Sequence, residues 1–159
     1  MKTYCEGFDP VCSPESRVLI LGSFPSVKSR AEGFYYGNPQ NAFWRTVAQF
    51  FGEQTPRTVE EKKFFLSRNR IALWDVVISC YIEGSSDASI ERERVADIPA
   101  LLAQSNVKAV LCNGSLSYRL LVRYYPQYEK TAKKLPSTSP ANPRFQKEAW
   151  FEALREIFL

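Results

Sequence analysis

Residues 17–22 read Arg-Val-Leu-Ile-Leu-Gly, a short apolar run that ends in glycine. A continuous run of this length predicts a strand buried on both faces, as in a parallel sheet. Similar runs at residues 71–77 and 108–112 predict two more strands, and a short fourth strand is predicted at residues 133–138. Helical patterns separate the strands: one helix is predicted to begin at Asn41, and others to cover residues 58–68, 97–104, 115–125 and 144–158.

Strands that alternate with helices predict an α/β fold, here a three-layer αβα sandwich around a mostly parallel four-stranded sheet. In such sheets, ligands bind beyond the carboxyl ends of the strands. We therefore expect four loops to meet at one rim of the sheet: residues 22–41, 74–87, 113–115 and 136–143. The length of 159 residues favours a single domain over residues 1–159.

Composition excludes several classes of protein. Hydrophobic residues make up 45% and aromatic residues 14% of the chain, which is typical of a globular protein. No apolar run is long enough for a spanning helix and the N-terminus lacks the apolar region of a signal peptide, so we expect no membrane partner and a cytoplasmic location. The net charge of +4 is compatible with a polyanionic partner and equally with an ordinary basic surface.

The chain has four cysteines and no histidine. No cysteine pair has C-x-x-C spacing, so a zinc site is poorly supported. An iron–sulfur cluster is formally possible, but Cys80 and Cys112 lie in apolar, strand-like segments and are predicted to be buried small hydrophobes. We expect neither a metal nor a cofactor. Any mechanism that uses a histidine base is excluded.

Six segments, in this order, resemble the uracil-DNA glycosylase superfamily, and within it the hypoxanthine (deoxyinosine) DNA glycosylase family. They are GSFPS at 22–26, YYGNPQNAFW at 35–44, LWDV at 73–76, GSSD at 84–87, NGS at 113–115 and LPSTSPAN at 135–142. The resemblance implies a monofunctional DNA glycosylase. Such an enzyme flips a deaminated base, here hypoxanthine, out of DNA and hydrolyses its N-glycosidic bond in base-excision repair. It also implies a monomer whose partner is DNA containing deaminated bases.

The first of these segments implies a base pocket formed by Gly22, Ser23, Phe24 and Pro25. In most of the superfamily the position of Phe24 holds a catalytic Asp or Asn, and phenylalanine cannot orient a water molecule. The hypoxanthine family resembles a second arrangement, in which an asparagine of the next loop takes over. Asn41 and Asn38 are the candidates here. We prefer Asn41, which stands two residues before Phe43, although Asn is also a favoured helix cap.

Two further residues are expected to touch the base. The family pattern implies that the ring of Phe43 stacks on the flipped base, whereas helical spacing alone would place Phe43 in the core. Asp75 stands where uracil-specific relatives read the base edge with an asparagine. An ionised Asp75 could accept the N1–H of hypoxanthine, and a purely structural role is the alternative.

The segment at 135–142 resembles the DNA-clamping loop of the superfamily, which implies DNA contacts by Ser137, Thr138, Ser139, Pro140 and Asn142. A proline-stiffened surface loop is the alternative. Cationic side chains that flank the loops are candidates for phosphate contacts: Lys28, Arg30, Lys133, Lys134 and Arg144.

Two other functions stay open on the sequence alone. The substrate of the same fold could be uracil or a mismatched thymine. Phe24 also leaves open a non-catalytic binder of damaged DNA.

Overall fold

A computed structural model describes residues 1–159 of the chain. The strands are β1 (Thr3–Glu6), β2 (Val18–Gly22), β3 (Ile71–Asp75), β4 (Val77–Ile82), β5 (Glu91–Val95), β6 (Ala109–Asn113) and β7 (Lys133–Leu135). The helices are α1 (Val27–Glu32), α2 (Phe43–Phe50), α3 (Val59–Arg68), α4 (Ile98–Ala103), α5 (Ser115–Tyr124) and α6 (Glu148–Phe158). Two 3₁₀ turns cover Asp87–Ser89 and Pro126–Tyr128.

Four strands form a sheet in the order β3-β2-β6-β7, and every neighbouring pair is parallel. Gly22 pairs with Asp75 across β2 and β3, and Leu21 pairs with Cys112 across β2 and β6. The carboxyl ends of these strands therefore lie at the same edge, as predicted.

The core lies on both faces of this sheet, because successive side chains of a strand point in opposite directions. Val18 and Ile20 pack into an aromatic-rich cluster with α2, α3 and α6, in which Trp150 is fully buried. Leu19 and Leu21 pack on the other face with α4 and α5. Cys80 and Cys112 are buried in that second cluster, as predicted. The three-layer α/β architecture is confirmed.

A second, three-stranded antiparallel sheet in the order β1-β4-β5 was not predicted. The apolar run at 71–77 is not one strand, since β3 ends at Asp75 and β4 begins at Val77 and pairs with β1. Beyond Asp75, the N–H groups of Val76 and Val77 donate to Gly22 O and Ser23 O, and the chain then leaves the parallel sheet. An apolar pattern reports burial but not which sheet a residue joins.

The helix boundaries also differ from the predicted ones. The segment at 23–41 contains a short helix, α1, which Ser26 caps by accepting from Ser29 N at 3.2 Å and Gly33 ends with a φ of 83°. Helix α2 begins at Phe43 rather than Asn41, and α6 begins at Glu148 rather than 144. None of the helices combines the length and the apolar character that crossing a bilayer requires.

Candidate active site

A cleft of about 130 Å³ opens at the carboxyl edge of the parallel sheet, on the scale of one heterocyclic base. Three of the four predicted rim loops contribute several residues each, and the loop at 113–115 contributes Asn113. The lining comprises Gly22, Ser23, Phe24, Pro25, Ser26, Ser29, Tyr35, Tyr36, Asn41, Asp75, Ser85, Asp87, Asn113, Ser137, Thr138 and Ser139.

The loop after β2 forms one wall of the cleft. A side chain at Gly22 would collide with Asp75 Oδ1 and would lie 3.2 Å from Tyr36 Oη, so only glycine leaves these two groups in place. Arg30 fixes the wall by donating to Pro25 O at 2.8 Å and to Gly84 O at 2.9 Å. The guanidinium group is thus engaged in joining two rim loops.

The carboxyl group of Asp75 is the most perturbed acid in the cleft. The residue is 4% exposed, and its Oδ2 has no hydrogen-bond partner. Burial, with a smaller contribution from the charge of Asp87, raises the pKa of Asp75 from 3.8 to about 7. Asp87 accepts a 3.3 Å hydrogen bond from Ser23 Oγ, and the pKa of Asp87 is also raised by burial.

Tyr36 lies beside Asp75 with its ring stacked on Phe43 at a centroid distance of 4.3 Å. Its Oη is buried and has no hydrogen-bond partner. The side chain of the neighbouring Asn113 is engaged with Thr138, to whose Oγ1 it donates at 2.8 Å and from whose N–H it accepts at 2.9 Å. Burial and the charge of Asp75 raise the pKa of Tyr36 above its ordinary value, so the phenol stays protonated.

Asn41 lines the cleft at the start of α2. Its Oδ1 accepts from Phe43 N at 2.9 Å, which closes a turn before the helix. A carbonyl oxygen has two lone pairs, so Oδ1 keeps one acceptor site beyond this turn. The N-cap of α2 is Ala42, so Asn41 forms a turn before the helix and lines the cleft at the same time.

The loop at 136–142 closes the opposite side and is held by its own side chains. Ser137 Oγ accepts from Ser139 N at 3.2 Å, Ser139 Oγ accepts from Ala141 N at 3.1 Å, and Asn142 Nδ2 donates to Ser137 O at 3.0 Å. Both serine hydroxyls use an acceptor site in these turns, which leaves their protons free to be donated to a ligand.

Comparison with known proteins agrees with the arrangement of loops around this cleft. A family model described as the Uracil DNA glycosylase superfamily matches residues 10–158. The chain belongs to the uracil DNA glycosylase superfamily. The resemblance predicted from the six motifs is confirmed.

Two curated relatives named hypoxanthine DNA glycosylase match nearly the whole chain. The protein from Methanosarcina acetivorans is 41% identical over 154 residues, covering 93% of this chain and 96% of the relative. The protein from Methanosarcina barkeri is 36% identical over 157 residues, covering 94% of this chain and 98% of the relative. A solution NMR structure from M. acetivorans, described as a candidate uracil DNA glycosylase, aligns with a TM-score of 0.82 and 35% identity and covers 98% of this chain and 99% of that chain.

Two of the residues predicted to catalyse the reaction or to contact the base lie outside the cleft of this superfamily member. Phe43 is fully buried behind Tyr36 and does not line the cleft, which differs from the expected stacking of its ring on a base. The first turn of α2 directs Phe43 into the core, against Trp150 at 6.0 Å. Asn38 is also absent from the lining, and its Oδ1 accepts from Gln40 N at 2.9 Å.

Most of the other predicted residues are brought together. Gly22, Ser23, Phe24, Pro25, Asn41, Asp75, Ser137, Thr138 and Ser139 all line the cleft. Thr138 is buried, and its Oγ1 and N–H are both engaged with Asn113. Pro140 is exposed and Asn142 is half-buried, and both lie beside the cleft rather than in it. Among the flanking cations, Lys133 is paired with Glu156 at 3.0 Å.

The cleft is also lined by residues that were not predicted as site residues, among them Tyr36, Asp87 and Asn113. Asp87 and Asn113 lie in the GSSD and NGS segments that carry the resemblance, so a signal for them was present. Tyr36 lies in the YYGNPQNAFW segment, which also carries the resemblance, but its orientation depends on a left-handed backbone with a φ of 54°, which the motif does not reveal. Nowhere in the molecule do three or more His, Cys, Asp or Glu side chains come together in a way that could hold a metal ion.

Proposed function

We propose that the protein is a monofunctional DNA glycosylase, a single domain over residues 1–159, that excises hypoxanthine from DNA. The observation that carries the proposal is a base-sized cleft lined by both the Asn41 amide and the buried carboxyl group of Asp75, whose Oδ2 has no partner. The names of the two curated relatives support hypoxanthine as the base. The monomeric state and the cytoplasmic location stay predictions.

Binding of the base begins with its removal from the duplex into the cleft. The base exchanges its stacking and pairing for contacts in the cleft, where its Watson–Crick edge can be read. Ionised Asp75 accepts the N1–H of hypoxanthine, which gives Oδ2 the partner that it lacks in the free protein. Ser137 and Ser139 donate their free hydroxyl protons to the phosphates beside the extruded nucleotide.

Hydrolysis then needs a water molecule placed at the anomeric carbon. In the proposed mechanism the remaining lone pair of Asn41 Oδ1 accepts a hydrogen bond from this water and holds its oxygen toward the sugar. As the C–O bond forms and the N-glycosidic bond breaks, the bonding electron pair leaves with the base, and the proton that the water loses passes through solvent to the departed base. The developing negative charge on the departing base is stabilised by backbone N–H groups of residues 23–26. Hydroxyl, amide, carboxyl and aromatic groups line the cleft, and direct attack by water, without a Schiff base to a lysine, fits this lining.

The test uses duplexes that contain hypoxanthine, uracil or xanthine, followed by alkaline cleavage at abasic sites. We expect the wild-type protein to produce abasic sites, with hypoxanthine as the preferred base. Asn41→Ala should lower the single-turnover rate on the order of 10²-fold, because the water is no longer positioned. Asn38→Ala is the matched control, since it removes the same group outside the cleft, and it should keep the wild-type rate.

Two outcomes contradict the proposal. A fully active Asn41→Ala variant would remove Asn41 from the mechanism. Tight binding of damaged DNA without abasic sites on any substrate would identify a non-catalytic binder.

A further inference from the structure

Tyr36 has two features that packing alone does not explain. Its backbone is in the left-handed region with a φ of 54°, which is unusual for an aromatic residue and is held only where the surroundings enforce it. Its Oη is buried without a hydrogen-bond partner, although more than nine in ten buried polar groups are normally paired. The strained backbone and the stacking on Phe43 together fix this hydroxyl at the wall of the cleft.

The hydroxyl lies side by side with the carboxyl group of Asp75. Both Tyr36 Oη and Asp75 Oδ1 border the point where a side chain at Gly22 would stand. Tyr36 is protonated and can donate, whereas ionised Asp75 can only accept. The wall of the cleft thus presents an unpaired hydroxyl donor near a carboxyl group whose Oδ2 is also unpaired.

This pair is complementary to one chemical group, the lactam edge of a base. Hydrolytic deamination replaces an exocyclic amino group by a carbonyl group and turns the neighbouring ring nitrogen from an acceptor into an N–H donor. Hypoxanthine, xanthine and uracil all carry an N–H next to a C=O on their pairing edge. Guanine and thymine carry this pair as well, so the contrast that it supports is with adenine and cytosine. Adenine and cytosine present the reverse order, an acceptor next to an amino donor, and would leave both protein groups unsatisfied.

We propose that Tyr36 is a specificity-determining residue that donates its hydroxyl proton to the lactam carbonyl of the extruded base while Asp75 accepts the adjacent N–H. This inference rests on the proposed function and deepens it, because it assigns the discrimination of hypoxanthine from its parent base adenine to two named side chains. Glycine at position 22 suits this role, because an added Cβ would collide with Asp75 Oδ1 and disturb the pair.

The experiment changes the donor and the acceptor separately. Single-turnover excision is measured on duplexes with hypoxanthine or 6-thiohypoxanthine, whose sulfur is a weaker acceptor at the position of the carbonyl oxygen. The proteins are wild type, Tyr36→Phe and the control Tyr125→Phe, which removes a hydroxyl bound to Ala96 O at 2.7 Å outside the cleft. The intrinsic difference between the two bases contributes equally to the oxo-to-thio rate ratio of every protein, so it cancels when these ratios are compared between proteins.

We expect the oxo-to-thio rate ratio to be about 3- to 10-fold larger for wild type and Tyr125→Phe than for Tyr36→Phe, the effect of one neutral hydrogen bond. The excision rate of Tyr36→Phe should be lower than that of wild type mainly for hypoxanthine. Tyr36→Phe should fold at least as stably as wild type, because the hydroxyl it removes has no partner in the free protein.

Equal oxo-to-thio ratios in wild type and Tyr36→Phe would overturn the inference even if both proteins excise hypoxanthine. A merely structural role of Tyr36 would lower both rates by the same factor and leave the ratio unchanged. Failure of the proposed function has a different signature, since the wild-type protein itself would then release none of the three deaminated bases.

Discussion

Replacing Asp75 by Asn should make the protein more stable at neutral and alkaline pH. The buried carboxyl group holds its proton up to a pKa of about 7 in the folded state, whereas in the unfolded chain it ionises near its ordinary value of 3.8. Between these two values the unfolded chain loses a proton that the folded protein keeps, so wild-type stability falls as the pH rises. Above the folded pKa both states are ionised and the loss is complete. Asparagine has nearly the same shape and no charge, and it removes this dependence.

The size of the effect follows from the shift. The difference between 3.8 and about 7 corresponds to about 4 kcal/mol in the free energy of unfolding, at about 1.4 kcal/mol per pKa unit. Of this, about 2.5 kcal/mol is lost between pH 5 and pH 8. For a chain of 159 residues, that loss corresponds to a fall in Tm of about 5–10 °C. The window is favourable for the measurement because the chain contains no histidine that would titrate within it.

The measurement is the urea unfolding free energy of wild type and Asp75→Asn at several pH values from 5 to 8. We expect the advantage of Asp75→Asn over wild type to grow steadily with pH. Asp87→Asn is the control, because it removes the neighbouring charge but leaves the buried carboxyl group, and its stability should keep the direction of the wild-type pH dependence. A difference between Asp75→Asn and wild type that is the same at pH 5 and pH 8 would refute the assignment of a raised pKa to this buried acid.

Three further outcomes are expected. The kcat/KM for hypoxanthine should rise with pH to a plateau above about 7 in wild type, because the ionised form of Asp75 accepts N1–H, and Asp75→Asn should show no such rise. Gly22→Ala should destabilise the fold by about 1–3 kcal/mol in thermal unfolding and abolish activity in the excision assay. Gly7→Ala is the control, because its added methyl group meets nothing closer than 3.5 Å, and it should keep wild-type stability and activity. Arg45→Ala, which removes an exposed guanidinium group beside Asn41, should reduce the slope of log K for DNA binding against log salt by about 0.9, and an unchanged slope would exclude a phosphate contact there.

The sequence was sufficient to predict the parallel sheet and its functional edge. Strands buried on both faces appear as unbroken apolar runs, and the rule that ligands bind at the carboxyl ends then places Gly22 and Asp75 in one site. The cleft at this edge follows from the register of β2 and β3, which pairs these two residues. Predictions of this kind succeed because each depends only on burial and strand direction.

The antiparallel sheet could not be predicted in the same way. Strand β1 (Thr3–Glu6) is largely exposed and has no apolar run, so only its pairing with β4 makes it a strand. Sequence patterns indicate local preference and burial. They do not indicate that two segments nearly 80 residues apart in the chain will pair.

The sequence also could not predict which aromatic ring forms the wall of the cleft. Phe43 and Tyr36 flank the loop that carries Asn41, and either ring could have faced a base. The choice depends on the left-handed backbone of Tyr36, which turns its side chain to the cleft, and on the first turn of α2, which turns Phe43 to the core. A single unusual dihedral angle has no signature in spacing or composition.

The distribution of unpaired polar groups connects stability to function in this protein. Four buried side-chain atoms lack a hydrogen-bond partner, and two of them, Tyr36 Oη and Asp75 Oδ2, belong to side chains that line the cleft. Folding alone favours removing such groups, since each leaves a desolvated polar atom unsatisfied. Both are satisfied at once by a lactam edge, so the base restores interactions that the free protein lacks. We therefore expect Asp75→Asn to be more stable than wild type and less active. This is the trade-off expected where a binding site keeps polar groups unpaired for its ligand and the fold is less stable for it.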